Sequence, residues 1–134
     1  MVLAMKSILL VEDHTVMLKI LTTYLDMTRY RTANIHCAQS INDVTALLQA
    51  HPIDAILMDN RIPPAFNFRD TLTAITATNW RGPIALMSGS QPSDFGEAKI
   101  DSLIFAFINK DDLSPHVLEK LFDDMIGLNQ DKVD

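Results

Sequence analysis

The sequence predicts an α/β fold, a doubly wound sandwich in which helices cover both faces of a parallel five-stranded sheet. Three observations predict it. Four short runs are apolar at successive rather than alternate positions, the pattern of strands buried on both faces. Stretches with apolar residues at three- and four-residue spacing lie around and between those runs, as amphipathic helices require. The chain of 134 residues also has the length of one domain, for which ~100–200 residues is usual. At 48% hydrophobic and 21% charged residues, it falls outside the disordered and fibrous classes.

The elements follow in order. Ile8-Leu9-Leu10-Val11 is the first strand. A helix over residues 14–28 puts Met17, Ile20, Leu21, Tyr24 and Leu25 on one face. A weaker strand over residues 32–38 alternates Ala33, Ile35 and Cys37 with polar residues, so it belongs at a sheet edge. Residues 40–50 open with a capping Ser40 and an acidic Asp43 three positions on, and bury Ile41, Val44, Leu47 and Leu48. His51-Pro52 ends that helix. Ala55-Ile56-Leu57-Met58 is the third strand, and residues 69–78, with Leu72 and Ile75, form the third helix. Ile84-Ala85-Leu86-Met87 is the fourth strand. A fourth helix is expected over residues 92–100, weakened by the internal Gly96. Leu103-Ile104-Phe105-Ala106-Phe107-Ile108 is the fifth strand. Ser114-Pro115 then starts a fifth helix with the face Val117, Leu118, Leu121, Phe122, Met125 and Ile126, and Gly127 stops it. Residues 129–134 read as a frayed polar tail.

Five strands alternating with five helices imply right-handed crossovers and a flavodoxin-like strand order, 2-1-3-4-5, with one domain spanning residues 1–134. A net charge of −6, from 17 acidic and 11 basic side chains, argues against a nucleic-acid partner, which calls for a basic patch. The apolar residues 1–5 are too short for a signal peptide, and no apolar run approaches the ~20 residues of a membrane span. The single cysteine, Cys37, cannot form an intrachain disulfide and reads as a small buried hydrophobe. A cytoplasmic location follows as an expectation. The seven methionines read as core filler. His14, His36, His51 and His116 share no ligand-like spacing and read as surface or boundary residues.

In such sheets the site lies beyond the carboxyl ends of the strands, near the switch between strands 1 and 3. The first strand ends in Glu12-Asp13, the third in Asp59, the fourth in Ser88 and the fifth in Asn109-Lys110. Three carboxylates, a hydroxyl and an ammonium are thus expected at one edge. Crowded carboxylates repel and need a partner. A divalent cation with oxygen ligands supplies one, and Mg²⁺ suits a site without the cysteine and histidine cluster that zinc prefers.

These residues resemble the receiver domain of two-component response regulators over roughly residues 6–127. The resemblance is carried by Ile8-Leu9-Leu10-Val11-Glu12-Asp13, by Leu57-Met58-Asp59-Asn60-Arg61-Ile62-Pro63, by Ser88-Gly89 and by Phe107-Ile108-Asn109-Lys110. It implies that Asp59 accepts a phosphoryl group from a phosphohistidine donor. It implies that Mg²⁺ is held by Asp13, Asp59 and the backbone carbonyl of Arg61, with Glu12 acting through water. It implies that Lys110 and Ser88 contact phosphoryl oxygens, and that Ser88 and Phe107 form a switch, although Phe107 reads equally as plain core. Arg61 and Ser90 either flank the path of hydrolysing water or are ordinary loop residues. The partners implied are a sensor histidine kinase or histidine phosphotransfer protein, which docks on the helix over residues 14–28, and a downstream target protein. A phosphorylation-dependent homodimer is a further option, and no membrane is involved. With the pattern filling the chain, output is expected through protein contact, on the face formed by residues 92–100, the fifth strand and residues 114–128. Such a domain takes part in its own phosphorylation and is not otherwise an enzyme.

The chain departs from the family pattern in places. Asp111 replaces the proline that usually follows the lysine in a cis bond, so the loop is expected to be either trans or strained. Asp111 and Asp112 stand as rival partners for Lys110. The loop Pro64-Ala65-Phe66-Asn67-Phe68 replaces the usual Asp-Gly turn and is expected to expose two aromatics, and Asp101-Ser102 replaces Gly-Ala before the fifth strand. An alternative is therefore a pseudo-receiver that docks proteins without phosphorylation. An aspartate-nucleophile phosphatase needs a second acid where Arg61 stands. A flavin protein needs phosphate-cradling donors where Glu12-Asp13-His14 stands.

Overall fold

A computed structural model describes residues 6–64 and 67–127. The N-terminal residues 1–5, Phe66 of the loop and the polar tail over residues 129–134 lie outside the described residues. Five parallel strands, β1 (Ser7–Val11), β2 (Asn34–Ala38), β3 (Ala55–Asp59), β4 (Ile84–Ser88) and β5 (Ile104–Asn109), form one sheet in the order β2-β1-β3-β4-β5. The expected strand order is therefore present. Among the described residues four α-helices accompany it: α1 (Thr15–Asp26), α2 (Ile41–Ala50), α3 (Phe68–Ala77) and α4 (Pro115–Ile126).

Strand periodicity sorts the apolar runs into two layers. Ile8, Leu10, Leu57, Ala85 and Met87 face α1 and α4, and pack with Leu21, Leu25, Leu118 and Phe122. Leu9, Val11, Ile56, Met58 and Leu86 face α2 and α3, and pack with Val44, Leu72 and Ile75. Every residue of β1 and β3 is buried. This is why their sequences read as unbroken apolar runs. Met58, Met87 and Met125 are core residues, but Met27 is exposed, so the methionines are not uniformly filler.

The caps explain the helix boundaries. The Ser40 hydroxyl accepts from the Asp43 amide and the Ser114 hydroxyl from the Val117 amide, each at 3.1 Å. Gly127 follows α4 at φ 84°, a left-handed stop suited to glycine. Asn67 caps α3 by accepting from the Arg69 amide at 2.9 Å, which starts the helix at Phe68. Phe68 is consequently buried against Leu72 and its neighbours, not exposed as the loop sequence suggested.

Two further expectations are corrected. The segment between β4 and β5 holds no α-helix; it carries only a 3-10 turn, Lys99–Leu103. Gly96 sits at φ 94°. The Asp101 carboxylate accepts from the Gly96 and Ala98 amides at 2.8 and 3.4 Å, diverting donors from a helical pattern. The second correction is Cys37, which is exposed. It lies in register with Leu10, on a part of the edge strand that the helices leave uncovered.

Candidate functional site

The loops after β1, β3, β4 and β5 bring the expected charged residues together. Glu12 follows β1 and is wholly buried, with its amide donating to the Ala38 carbonyl at 2.9 Å. Asp13 beside it is half-buried. Asp59 ends β3 and is 7% exposed. Lys110 leaves β5 and crosses in front of β4 to reach β3: its Nζ stands 2.8 Å from Asp59 Oδ1 and 3.5 Å from Glu12 Oε2. Burial acts to lower the Lys110 pKa, but the hydrogen bond and charge of Asp59, joined by Glu12, outweigh it and hold the pKa above its ordinary value. The rival partners Asp111 and Asp112 are exposed.

His14 is exposed, as a surface residue is expected to be, but it belongs to this cluster. Its Nδ1 lies 2.8 Å from Glu12 Oε1, which also accepts from the His14 amide at 3.2 Å. The same nitrogen lies 3.3 Å from Asp13 Oδ1, without the alignment of a hydrogen bond. The Glu12 hydrogen bond, then the charges of Asp13 and Glu12, raise the imidazole pKa. One atom each of Glu12, Asp13 and His14 lie within 4.8 Å of one another, a grouping that could hold a metal ion. Asp59 is turned toward Lys110. Adjacency to Glu12-Asp13 was the available signal for His14, but sequence does not say which way the ring turns.

Asp13 Oδ1 is shielded from solvent and has no hydrogen-bond partner. An acceptor in that state, with only the His14 ring beside it, can take a cation. The carboxylate oxygens of Glu12 and Asp13 suit a hard, oxygen-seeking ion.

Ser88 ends β4 in register with Asn109 and is partly exposed; its Oγ accepts weakly from the Ser90 amide at 3.5 Å. Arg61 and Ser90 are exposed loop residues. Phe107 is half-buried and packs against the core layer that contains Leu9, Val11 and Phe68. Among the described residues the one cis peptide bond is Pro63-Pro64, so Lys110–Asp111 is trans.

The response regulator receiver domain family matches residues 8–122. The chain belongs to that family. Its structure is similar to the receiver domain of a sensor histidine kinase from Pseudomonas aeruginosa, described with a magnesium ion coordinated in its active site cleft. There the identity is 22%, the TM-score is 0.75, and 92% of this chain and 98% of that one are covered. The N-terminal domain of an uncharacterized protein from Wolinella succinogenes is similar at 21% identity and TM-score 0.76, over 95% of this chain and 98% of that one. A CheY-like receiver domain from Methylobacillus flagellatus is similar at 16% identity and TM-score 0.70, over 90% and 98%. No curated protein matches in sequence. Among the described residues no helix is long and apolar enough to cross a membrane.

Proposed function

We propose that this receiver domain accepts a phosphoryl group on Asp59 from a phosphohistidine donor, with Mg²⁺, and signals by changing its protein contacts. The observation that carries this reading is the Lys110–Asp59 contact beside the Glu12-Asp13 pair. An Asp59 oxygen attacks phosphorus, the phosphorus–nitrogen bond of the donor breaks, and the released imidazole nitrogen takes a proton. The product is an acyl phosphate on Asp59. Lys110, 2.8 Å from Asp59 Oδ1, would meet a phosphoryl oxygen as a point charge. Ser88, at the end of the adjacent strand, would donate to another. Asp13, Asp59 and the Arg61 carbonyl would hold the metal, with Glu12 acting through water. When bound, Mg²⁺ neutralises charge on the phosphoryl oxygens and aligns them. The domain then takes part in its own modification and is not otherwise an enzyme.

The donor would be a histidine kinase or a phosphotransfer protein. Its docking face would be α1, where Val16 is 72% exposed and a groove of about 270 Å³ runs between Val16, Lys19, Ile20, Thr23 and Tyr24. Exposed apolar surface at the rim of the site suits an amphipathic partner helix. Output would use β5 and its flanks, where Phe105 is 53% exposed, toward a downstream protein or a second copy. The acidic charge and the kinase partnership suit the cytoplasm. Incubation with a small phosphodonor and Mg²⁺, followed by intact-mass measurement, tests the reading. The mass of one phosphoryl group is expected on the wild type and not on Asp59→Asn.

A further inference from the structure

Lys110 has to reach across one strand to touch Asp59, on a flexible four-carbon stem. Such a stem carries large rotamer entropy, so its aim depends on the backbone at its root. That root is a short 3-10 turn, Lys110–Asp112, preceded by Asn109. The Asn109 side-chain oxygen accepts from the Asp111 amide at 2.9 Å, and the Leu113 amide closes the turn onto the Lys110 carbonyl at 3.4 Å. The first bond is an asparagine turn, in which a side chain substitutes for a backbone acceptor. It is the shorter of the two and the one that fixes the peptide just after Lys110. Two exposed carboxylates, Asp111 and Asp112, stand next along the chain and would compete for the ammonium if the turn opened. Asn109 is also the register partner of Ser88 on β4.

We propose that Asn109 is a positioning residue for the phosphoryl site: its bond to the Asp111 amide aims Lys110 at Asp59 and away from the neighbouring aspartates. The proposal rests on the phosphoryl chemistry given above, so its test separates the two. Asn109→Ala removes the acceptor; Asn109→Ser keeps a capping oxygen without adding charge beside the lysine. Phosphorylation rates are measured with a small phosphodonor and Mg²⁺, and the Lys110 ammonium is followed by nitrogen-15 NMR. A held ammonium exchanges its protons slowly enough to be seen. The alanine variant is expected to react roughly five- to tenfold more slowly, the size of a lost cap, and the serine variant within about twofold of wild type. The ammonium signal is expected in wild type and serine and lost in alanine. Equal rates in all three proteins, or equal slowing in both variants, would overturn the proposal. Should the wild type take no phosphoryl group, the chemistry is wrong. The ammonium signal then decides the role of Asn109 alone: loss in alanine with retention in serine upholds it, and no change refutes it.

Discussion

Arg69 and Asp101, 32 residues apart, meet through two parallel hydrogen bonds: Nε to Oδ1 at 2.8 Å and Nη2 to Oδ2 at 2.7 Å. The same guanidinium donates to the Asp94 carboxylate at 2.8 Å and to its carbonyl at 2.9 Å. It also lies 5.0 Å over the Phe68 ring. One side chain of α3 therefore pins the whole β4–β5 connection where a helix was expected. Paired forks of this kind are among the stronger charge-assisted bonds. Asp101 is 3% exposed, so its carboxylate depends on these partners.

Asp101→Ala should destabilise the fold by about 1–3 kcal/mol, because it leaves Arg69 with Asp94 alone and leaves the Gly96 and Ala98 amides without their acceptor. Urea unfolding measures the loss. Hydrogen exchange should rise across residues 92–103 and stay unchanged in β1 and β3. A uniform rise across the sheet would show that the pair acts on global stability alone.

The same pair predicts an acid limb. The Arg69 hydrogen bond, aided by the Gly96 and Ala98 amides, brings the Asp101 pKa down to about 2 despite its burial. An unfolded aspartate titrates near ~3.9. A depressed folded-state pKa means that the stabilisation is fully present above about pH 5 and is lost as pH falls through about 2. Urea midpoints of wild type and Asp101→Asn should thus differ at pH 5 and converge only below about pH 2.

The orphaned Asp13 oxygen predicts a metal effect. Mg²⁺ at a hundredfold excess over its dissociation constant stabilises a folded protein by about 2.7 kcal/mol. The melting temperature of the wild type should rise by several degrees on adding Mg²⁺. Asp13→Ala should lose most of that rise while keeping its fold, as checked by circular dichroism.

Tyr30 and Asp123 form a second long-range tie. The buried Tyr30 hydroxyl donates to Asp123 Oδ1 at 2.7 Å, linking the turn after α1 to α4. Burial, then the hydrogen bond to Asp123, drives the tyrosine pKa up. Tyr30→Phe should cost about 1–2 kcal/mol, because the packing stays and a buried acceptor loses its donor. Thermal melts of the two proteins measure it.

The sheet was legible because β1 and β3 are buried on both faces, and that condition writes itself into contiguous apolar runs. Glu12, Asp13 and Asp59 were legible because they end such runs; Lys110 follows Asn109 at the end of β5, whose apolar run is not buried on both faces as expected but leaves Phe105 exposed. The β4–β5 connection was not, because its conformation is decided by Arg69, which is remote in sequence and on another element. The burial of Phe68 turned on the Asn67 cap, which shifts the helix start by one residue. The His14–Glu12 contact depends on a ring rotation, and the exposure of Cys37 on where helix coverage of an edge strand ends. None of these leaves a periodic trace.

Acyl phosphates on aspartate are reduced by borohydride to homoserine, so the phosphoacceptor can be mapped by peptide mass spectrometry. Treatment with phosphodonor and Mg²⁺ followed by reduction should convert residue 59, and only residue 59, to homoserine. Conversion at Asp13 or at another carboxylate, or at none, would contradict the account.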